Sequence, residues 1–391
     1  DMKQVGKEIV GLNRLADRRV TPVLRQGVEP GTVDIDLNVE DKLPLHGSLE
    51  LNNRYSANTT PLRLNGSASY GNFFQKGHTG GQSFQVAPEN TDDALVYSGY
   101  YLARITDGAS LMLQATKQDS NVSTLGGGAV AGRGEIAGLR VLFDLPTTPD
   151  FYQNITLGID YKNLEEDIVL GKDIIASPIE YYPLSANYSG NWMTDNSFTA
   201  LNASLNFSLR GVGAGEEDYA NKRYNADPSY VYLRSDLAHT HDLPGGFQAL
   251  GKIQGQLSSQ PLVNSEQYAG GGLDTVRGYL EATALGDNGF FGTVEFLSPS
   301  LLGDSAKSGV KADRKADEWR VYAFGDIGMV ALLDALPGQE SHFSLASIGV
   351  GSRVNVFKHY NAAVDVAYPL IEEAETDDGE IRVNFRGWAD F

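Results

Sequence analysis

The sequence predicts an all-β fold: a sixteen-stranded antiparallel transmembrane β-barrel over residues 43–391, preceded by the C-terminal part of a small α/β module over residues 1–42. Three observations lead to this prediction. Apolar and polar residues alternate with a period of two from about residue 46 onwards. The connections between the alternating segments are short and long in turn, and the chain ends on an aromatic residue, Phe391. An even strand count with short turns at one rim and long loops at the other is typical of outer-membrane barrels.

The first 42 residues have a different pattern. Residues 2–17 carry apolar side chains at helical spacing, which predicts one amphipathic helix. Two strand-like runs follow at 19–24 and 32–39, separated by the turn-forming residues 27–31. One helix and two strands are too small to form a stable domain, and Asp1 falls in the middle of the pattern. We therefore expect the end of a module that begins upstream, in a longer, processed chain.

The period-two alternation is clearest in residues 154–162, 201–210 and 380–391. In each segment one face is apolar and the other is polar and often charged, as a barrel between lipid and water requires. The apolar positions are Ile155, Leu157, Ile159, Tyr161, Leu201, Ala203, Leu205, Phe207, Leu209, Ile381, Val383, Phe385 and Phe391.

We count sixteen such strands, which differ in how they are connected. They start near residues 46, 62, 79, 93, 109, 136, 151, 177, 196, 229, 246, 288, 318, 342, 359 and 380. Connections after even-numbered strands are mostly short, whereas those after odd-numbered strands, such as 211–227 and 258–287, are often long. The stretch 299–317 is the exception, long where a short turn is due. A soluble β-sandwich is the alternative, but its loops follow no alternation in length.

The composition excludes several functions. The 391 residues have a formal net charge of −19, which argues against nucleic acid as a partner, and no cysteine, which fits an oxidising compartment. His239 and His241 share one strand face but lack a third metal ligand, and residues 126–134 lack the Gly-Lys-Ser/Thr of a phosphate loop. No nucleophile motif is present. We therefore expect neither an enzyme nor a bound metal or cofactor.

Two short motifs about fifty residues apart indicate the functional site. Val276-Arg277-Gly278-Tyr279 follows a glycine-rich stretch in loop 258–287, and Phe324-Gly325-Asp326-Ile327-Gly328 lies in a strand. If the loop folds into the lumen, Arg277 needs a carboxylate, because an unpaired buried charge costs several kcal/mol.

The strand parity of residues 319–329 supplies that carboxylate. It turns Phe324, Asp326 and Gly328 inward, which makes Asp326 the candidate partner of Arg277, while Gly328 leaves room for the loop backbone. Glu295 is a second candidate carboxylate. Further inward positions in the next strand are Gly349, Gly351 and Arg353.

With these motifs the chain resembles the two-partner-secretion transporters (TpsB, ShlB/FhaC/HecB-like), a branch of the superfamily of outer-membrane assembly and secretion barrels. Members join periplasmic POTRA modules to a sixteen-stranded barrel. Their sixth surface loop carries Val-Arg-Gly-Tyr/Phe and packs inside against a Phe-x-Asp-x-Gly strand. Here the loop after strand eleven and strand thirteen carry the two motifs, and residues 1–42 resemble the last helix and two strands of a POTRA module. One departure concerns Asn52-Asn53, which residues 54–60 follow in place of the usual Thr-Gly.

The resemblance implies a pore in the bacterial outer membrane that secretes an unfolded exoprotein from the periplasm to the cell surface without nucleotide. Its implied partners are that exoprotein, outer-membrane lipid, and the barrel-assembly machinery, which recognises a C-terminal aromatic such as Phe391. We expect a monomer. A factor that inserts other barrels shares the paired motifs, so the sequence leaves it open beside secretion. A passive porin is the third alternative, although its constriction loop lacks these motifs.

Overall fold

The computed structural model describes residues 17–26, 33–120, 122–123, 130–131, 133–165, 167–170, 173–302, 317–373, 376 and 379–391. Within these residues, sixteen antiparallel strands close into a barrel, which confirms the predicted fold. Barrel strands one to sixteen are Leu45–Asn52, Arg63–Phe73, His78–Val86, Leu95–Thr106, Ala109–Asp119, Arg133–Asp144, Phe151–Glu165, Leu184–Met193, Ser197–Phe207, Val231–Asp242, Gln248–Ser258, Asn288–Leu297, Glu318–Ala331, His342–Val356, Tyr360–Pro369 and Arg382–Asp390.

Strand eight is preceded by a short segment of the same ladder. Ile179–Tyr181 pairs with strand seven in the register that strand eight continues, as the pairs Lys162↔Tyr181 and Ile159↔Leu184 show. Pro183 lies in the gap, where its missing N–H removes one ladder hydrogen bond. The strand predicted to start near residue 177 is therefore in two pieces.

The apolar and polar faces of the strands point to the sides of the barrel that the sequence predicted. Leu157, Leu205 and Val383 are 49%, 42% and 51% exposed on the outer surface. Glu295 and Asp326, on the inward faces of their strands, are 4% and 1% exposed. Apolar side chains thus face the lipid, and the polar set faces the lumen.

Smaller elements lie outside the barrel wall or in its loops. Arg18–Gln26 pairs antiparallel with Val33–Asp41, while the predicted helix over 2–17 lies outside the described residues except for Asp17. The other short strands and the helices are Val122–Ser123 with Val130–Ala131, Asp167–Leu170 with Asp173–Ala176, Tyr268–Gly270 with Ala284–Gly286, the α-helix Glu216–Lys222, and the 3-10 turns Pro244–Gly246 and Asn264–Glu266. In the described part of the chain, no helix is long and apolar enough to span a membrane.

The connections follow the predicted alternation. Even-numbered strands are followed by turns as short as 107–108 and 194–196, and odd-numbered strands by connections as long as 208–230 and 259–287. The long connection after strand twelve has residues 303–316 outside the described part.

The barrel closes where strand sixteen pairs with strand one. The register has five partner pairs, from Arg386↔Asn52 to Asp390↔Ser48. Gly47 and Phe391 extend it by exchanging backbone hydrogen bonds of 3.0 and 2.9 Å. We call this pairing of strands one and sixteen the seam.

Candidate functional site

The connection 259–287, which we call the inward loop, is packed against the inner wall of the barrel. Val276 is fully buried, and Arg277, Tyr279 and Leu280 are each at most 8% exposed. The short strands Tyr268–Gly270 and Ala284–Gly286 pair to form the stem of the loop. A surface connection with this burial is unusual, because loops ordinarily run over the protein surface.

Glycines allow the loop to turn inside the barrel. Gly271 and Gly272 have φ values of +94° and +93°, a region that side-chain-bearing residues rarely adopt. A β carbon on Gly272 would also overlap the carboxylate of Glu281. These two glycines therefore permit a tight turn in which the two arms of the loop pack against each other.

Arg277 is the centre of the site. Its Nε and Nη2 donate to the two carboxylate oxygens of Asp326 at 2.8 and 2.9 Å, and its backbone N–H donates to Asp326 Oδ2 at 3.1 Å. Its Nη1 donates to Glu295 at 2.7 Å and to Asp365 at 3.3 Å. The structure thus brings together Arg277 and both carboxylates that the sequence indicated, and it adds Asp365 of strand fifteen. The same period-two parity that selected Asp326 identifies Asp365 as inward.

Aromatic rings and a second arginine complete the cluster. The Arg277 guanidinium lies 3.5 Å from the centroid of the Phe324 ring, which is a cation–π contact. Tyr322 donates to Asp365 at 2.7 Å, and Arg353 donates to Glu295 at 2.9 Å. Two cations therefore face three carboxylates, and each of the three carboxylates is bonded to at least one arginine.

The inward glycines of the wall accommodate aromatic rings. A β carbon at Gly328 would overlap the ring of Phe291 from strand twelve. The expectation that Gly328 leaves room for the loop backbone is therefore wrong, since the side chain of Phe291 occupies that space. Phe291 in turn reaches the loop, because a β carbon on Gly270 would lie 2.8 Å from its Cζ. Gly349 lies in the same way beneath the ring of Phe324.

The other residues of the loop motif hold the tip to strands fourteen and fifteen. The Tyr279 hydroxyl lies 2.7 Å from the carbonyl oxygen of Ile371 and 3.1 Å from that of Ala346, to either of which it can donate. Gly278 has a φ of +100°, and Val276 packs among buried apolar residues. All four motif residues thus have a structural contact inside the barrel.

Sequence reasoning missed a further buried carboxylate, at the stem of the loop. Glu266 is 2% exposed and accepts from Lys162 at 2.5 Å, from Tyr181 at 2.6 Å and from Tyr232 at 2.7 Å. Lys162 lies on the polar face of the alternating segment 154–162, which faces inward. A search for a carboxylate to match that lysine could therefore have found Glu266.

Asp287 ties the end of the inward loop to two other connections at the long-loop rim. Arg223, which follows the helix Glu216–Lys222, donates to Asp287 at 2.9 Å. The backbone N–H groups of Leu262 and Leu333 donate to the same carboxylate at 2.8 and 2.7 Å. The stem is therefore held at the long-loop rim, and the tip is held deeper in the barrel.

Phe391 lies at the opposite rim, away from the Arg277 cluster. Its ring stacks on His359 with a centroid distance of 5.8 Å.

His239 and His241 stack on each other at 6.0 Å, and His239 contacts Thr199 Oγ1 at 2.8 Å. Most of residues 126–134 lie outside the described residues.

The Arg277 cluster holds a loop in place. Its carboxylates are all bonded to arginines, and the Tyr322 hydroxyl donates to Asp365. The site therefore determines where the inward loop lies in the lumen.

A family model matches just over half of the chain. It is described as haemolysin secretion/activation protein ShlB/FhaC/HecB, and it matches residues 153–354. This range includes the inward loop and strand thirteen. No curated protein matches the chain.

Solved structures share the fold. CdiB from Escherichia coli is similar with a TM-score of 0.76 and 17% identity, covering 100% of this chain and 71% of that one. CdiB from Acinetobacter baumannii gives 0.67 and 15%, covering 100% and 68%. BamA from Haemophilus ducreyi lacking POTRA domains 1-3 gives 0.67 and 14%, covering 100% and 79%.

Proposed function

Since the chain belongs to the haemolysin secretion/activation protein family ShlB/FhaC/HecB, and is an outer-membrane transporter of the two-partner-secretion type, we propose that it passes one unfolded exoprotein from the periplasm to the cell surface. The exoprotein enters at the short-turn rim, where Asp17 and the N-terminal hairpin lie. It leaves at the rim of long loops and folds outside. No nucleotide is needed, because folding of the exported chain makes its return unfavourable.

One observation supports this proposal above the others: the lumen holds a loop fixed by a buried charge cluster. Arg277, Asp326 and Glu295 are each at most 4% exposed, and taking such charges out of water is costly unless they are paired. A passive pore for small solutes needs no such cluster. A transporter that seals its lumen and positions a client needs a loop with a defined place.

The wall of strands two to five has the chemistry that a passing unfolded chain requires. Inward hydroxyls lie side by side in the register pairs Ser67↔Ser83, Ser83↔Ser98 and Ser98↔Thr116. Ser98 and Thr116 share a hydrogen bond of 2.9 Å. Uncharged hydroxyls offer exchangeable hydrogen bonds to any backbone, so they suit a client read by its backbone and not by its sequence.

The N-terminal residues belong to this proposal too. We assign residues 1–42 to the end of a POTRA module that receives the client, and residues 43–391 to the barrel. The further partners that we propose are outer-membrane lipid around the barrel, and the barrel-assembly machinery during biogenesis, with a monomer as the working unit.

A gene deletion with two readouts tests the function. Deleting the gene of the full protein should remove one large exoprotein from the culture medium and leave the levels of other outer-membrane barrels unchanged. Restoring the gene should restore the exoprotein. A general fall of outer-membrane barrels would favour an assembly factor instead. An unchanged set of secreted proteins, with slower uptake of small solutes, would favour a porin.

A further inference from the structure

Arg54 makes a second buried charge cluster with the inward loop, separate from that of Arg277. It lies two residues after the end of strand one. Its Nε donates to Glu281 Oε1 at 2.7 Å, and its Nη2 donates to Asp274 Oδ2 at 2.5 Å. The Arg54 side chain is 8% exposed and that of Glu281 is 4% exposed.

The two carboxylates flank the tip of the loop. Asp274 precedes Val276 by two positions, and Glu281 follows Tyr279 by two. Arg54 therefore bridges the two arms on either side of the Val-Arg-Gly-Tyr turn. A further hydrogen bond joins the two arms, since the backbone N–H of Leu273 donates to Glu281 Oε1 at 3.3 Å.

The same stretch of chain is joined to the seam. The side chain of Asn53 donates to the carbonyl of Val383 at 2.8 Å and accepts from the N–H of Phe385 at 2.8 Å. The carbonyl of Tyr55 accepts from the N–H of Glu281 at 3.0 Å, and Arg382 of strand sixteen lies over the Tyr55 ring at 4.7 Å. Residues 53–55 thus contact the last strand and the inward loop at once.

We propose that Arg54 is a second positioning residue for the inward loop, which clamps both arms of the tip to the end of strand one and so couples the loop to the seam. The inference rests on the proposed function, because it assigns Arg54 to holding the loop during translocation. Arg277 holds the tip to strands twelve, thirteen and fifteen. Arg54 adds a second point of attachment for the loop, on the other side of the seam, at the end of strand one.

Loss of Arg54 has a defined consequence because one of its partners, Glu281, is buried, although Asp274 is 38% exposed. A variant without the cation leaves Glu281 charged, enclosed and without its arginine, which is strongly unfavourable. Neutralising the carboxylates in the same variant removes that penalty. If neutralising the carboxylates reverses the effect of removing Arg54, the arginine acts through charge pairing. If it adds to that effect, the arginine acts through packing.

The accessibility of the loop in the purified full-length protein measures the clamp. Residues 1–391 contain no cysteine, so Leu280→Cys supplies one thiol there, at a site only 8% exposed. Labelling by a bulky maleimide should be on the order of tenfold faster in Arg54→Met, since local opening governs access to buried groups. Arg54→Lys should lie between the two. Adding Glu281→Gln and Asp274→Asn to Arg54→Met should return the rate towards that of the parent.

A matched control and a secretion assay complete the test. Arg210→Met removes an arginine whose side chain is 59% exposed and should leave the labelling rate unchanged. In the native host, Arg54→Met should lower the secreted exoprotein, and Arg54→Lys should restore part of it. Unchanged labelling, additive effects in the combined variant, or unchanged secretion would each overturn the proposal. A parent that labels slowly but secretes nothing would contradict the proposed function, because the labelling needs no client.

Discussion

Asp326 receives three hydrogen bonds from Arg277, two from the guanidinium and one from the backbone N–H, although the two residues are 49 positions apart. One carboxylate on the barrel wall therefore fixes both the side chain and the main chain of the loop tip. The bidentate geometry suits arginine and not lysine, because only the planar guanidinium can present two parallel donors.

The first prediction concerns Arg277→Ala. It should abolish most secretion while leaving the barrel inserted in the membrane, because the strands pair through their backbones. Removing one partner of a buried ion pair costs about 3–5 kcal/mol, which is enough to release the tip from Asp326. The measurements are the exoprotein in the medium and the amount of heat-modifiable protein in the outer membrane.

Two variants serve as controls for that result. Arg277→Lys keeps the charge but loses the paired donors, so it should secrete less than the parent and more than Arg277→Ala. Arg210→Ala removes an exposed arginine, paired with Glu216 and Asp227, and should secrete normally. Normal secretion by Arg277→Ala would mean that the loop position does not matter for transport.

The second prediction compares two glycines of strand thirteen. Gly328→Ala places a β carbon within the ring of Phe291, whereas Gly325→Ala meets nothing within 4 Å. Overpacking of this kind costs about 1–3 kcal/mol. Gly328→Ala should therefore lose its folded electrophoretic mobility at a lower temperature than the parent, and Gly325→Ala should not. Equal melting of the two variants would contradict the contact between Gly328 and Phe291.

The third prediction concerns the lumen. Deleting about residues 265–285 should raise the single-channel conductance in planar bilayers, because the inward loop occupies part of the cross-section.

A substitution at the long-loop rim is the control for the lumen experiment. Residues 336–340 lie in the connection after strand thirteen and are exposed. Replacing them with glycine and serine should leave conductance unchanged. If the deletion of 265–285 also had no effect on conductance, the inward loop would not limit ion flow.

Much of the fold could be predicted from local sequence pattern, but the contacts of the loops could not. Alternation with period two predicted all sixteen strands, because successive side chains of a strand lie on opposite faces of the barrel wall. It also gave the inward direction of Asp326 and Glu295. It did not give Glu266 or Arg54, because a loop has no period and its residues meet the wall only after the chain has folded.

The contacts of Arg54 could not be predicted from local pattern either. The sequence showed only that the residues after Asn52-Asn53 depart from the family pattern. The partners of Arg54 are Asp274 and Glu281, more than two hundred positions away. Gly328 was correctly placed inward, but which atoms fill the space above it depends on the rotamer of Phe291, which no strand pattern encodes.

The last prediction concerns Phe391 and the seam. Strand sixteen meets strand one through five register pairs, and Gly47 and Phe391 add two backbone hydrogen bonds at its end. Unpaired backbone groups cost several kcal/mol each in hydrocarbon, so we expect deletion of Phe391, or Phe391→Asp, to lower the amount of inserted, heat-modifiable protein sharply. The aromatic ring is 63% exposed and stacks on His359, which leaves it available to a partner that recognises the end of the chain. Leu205→Ala, at an apolar lipid-facing site in mid-barrel, should have a much smaller effect. Equal outer-membrane levels of the Phe391 deletion and the parent would show that the terminal aromatic is neither a needed part of the seam nor an assembly signal.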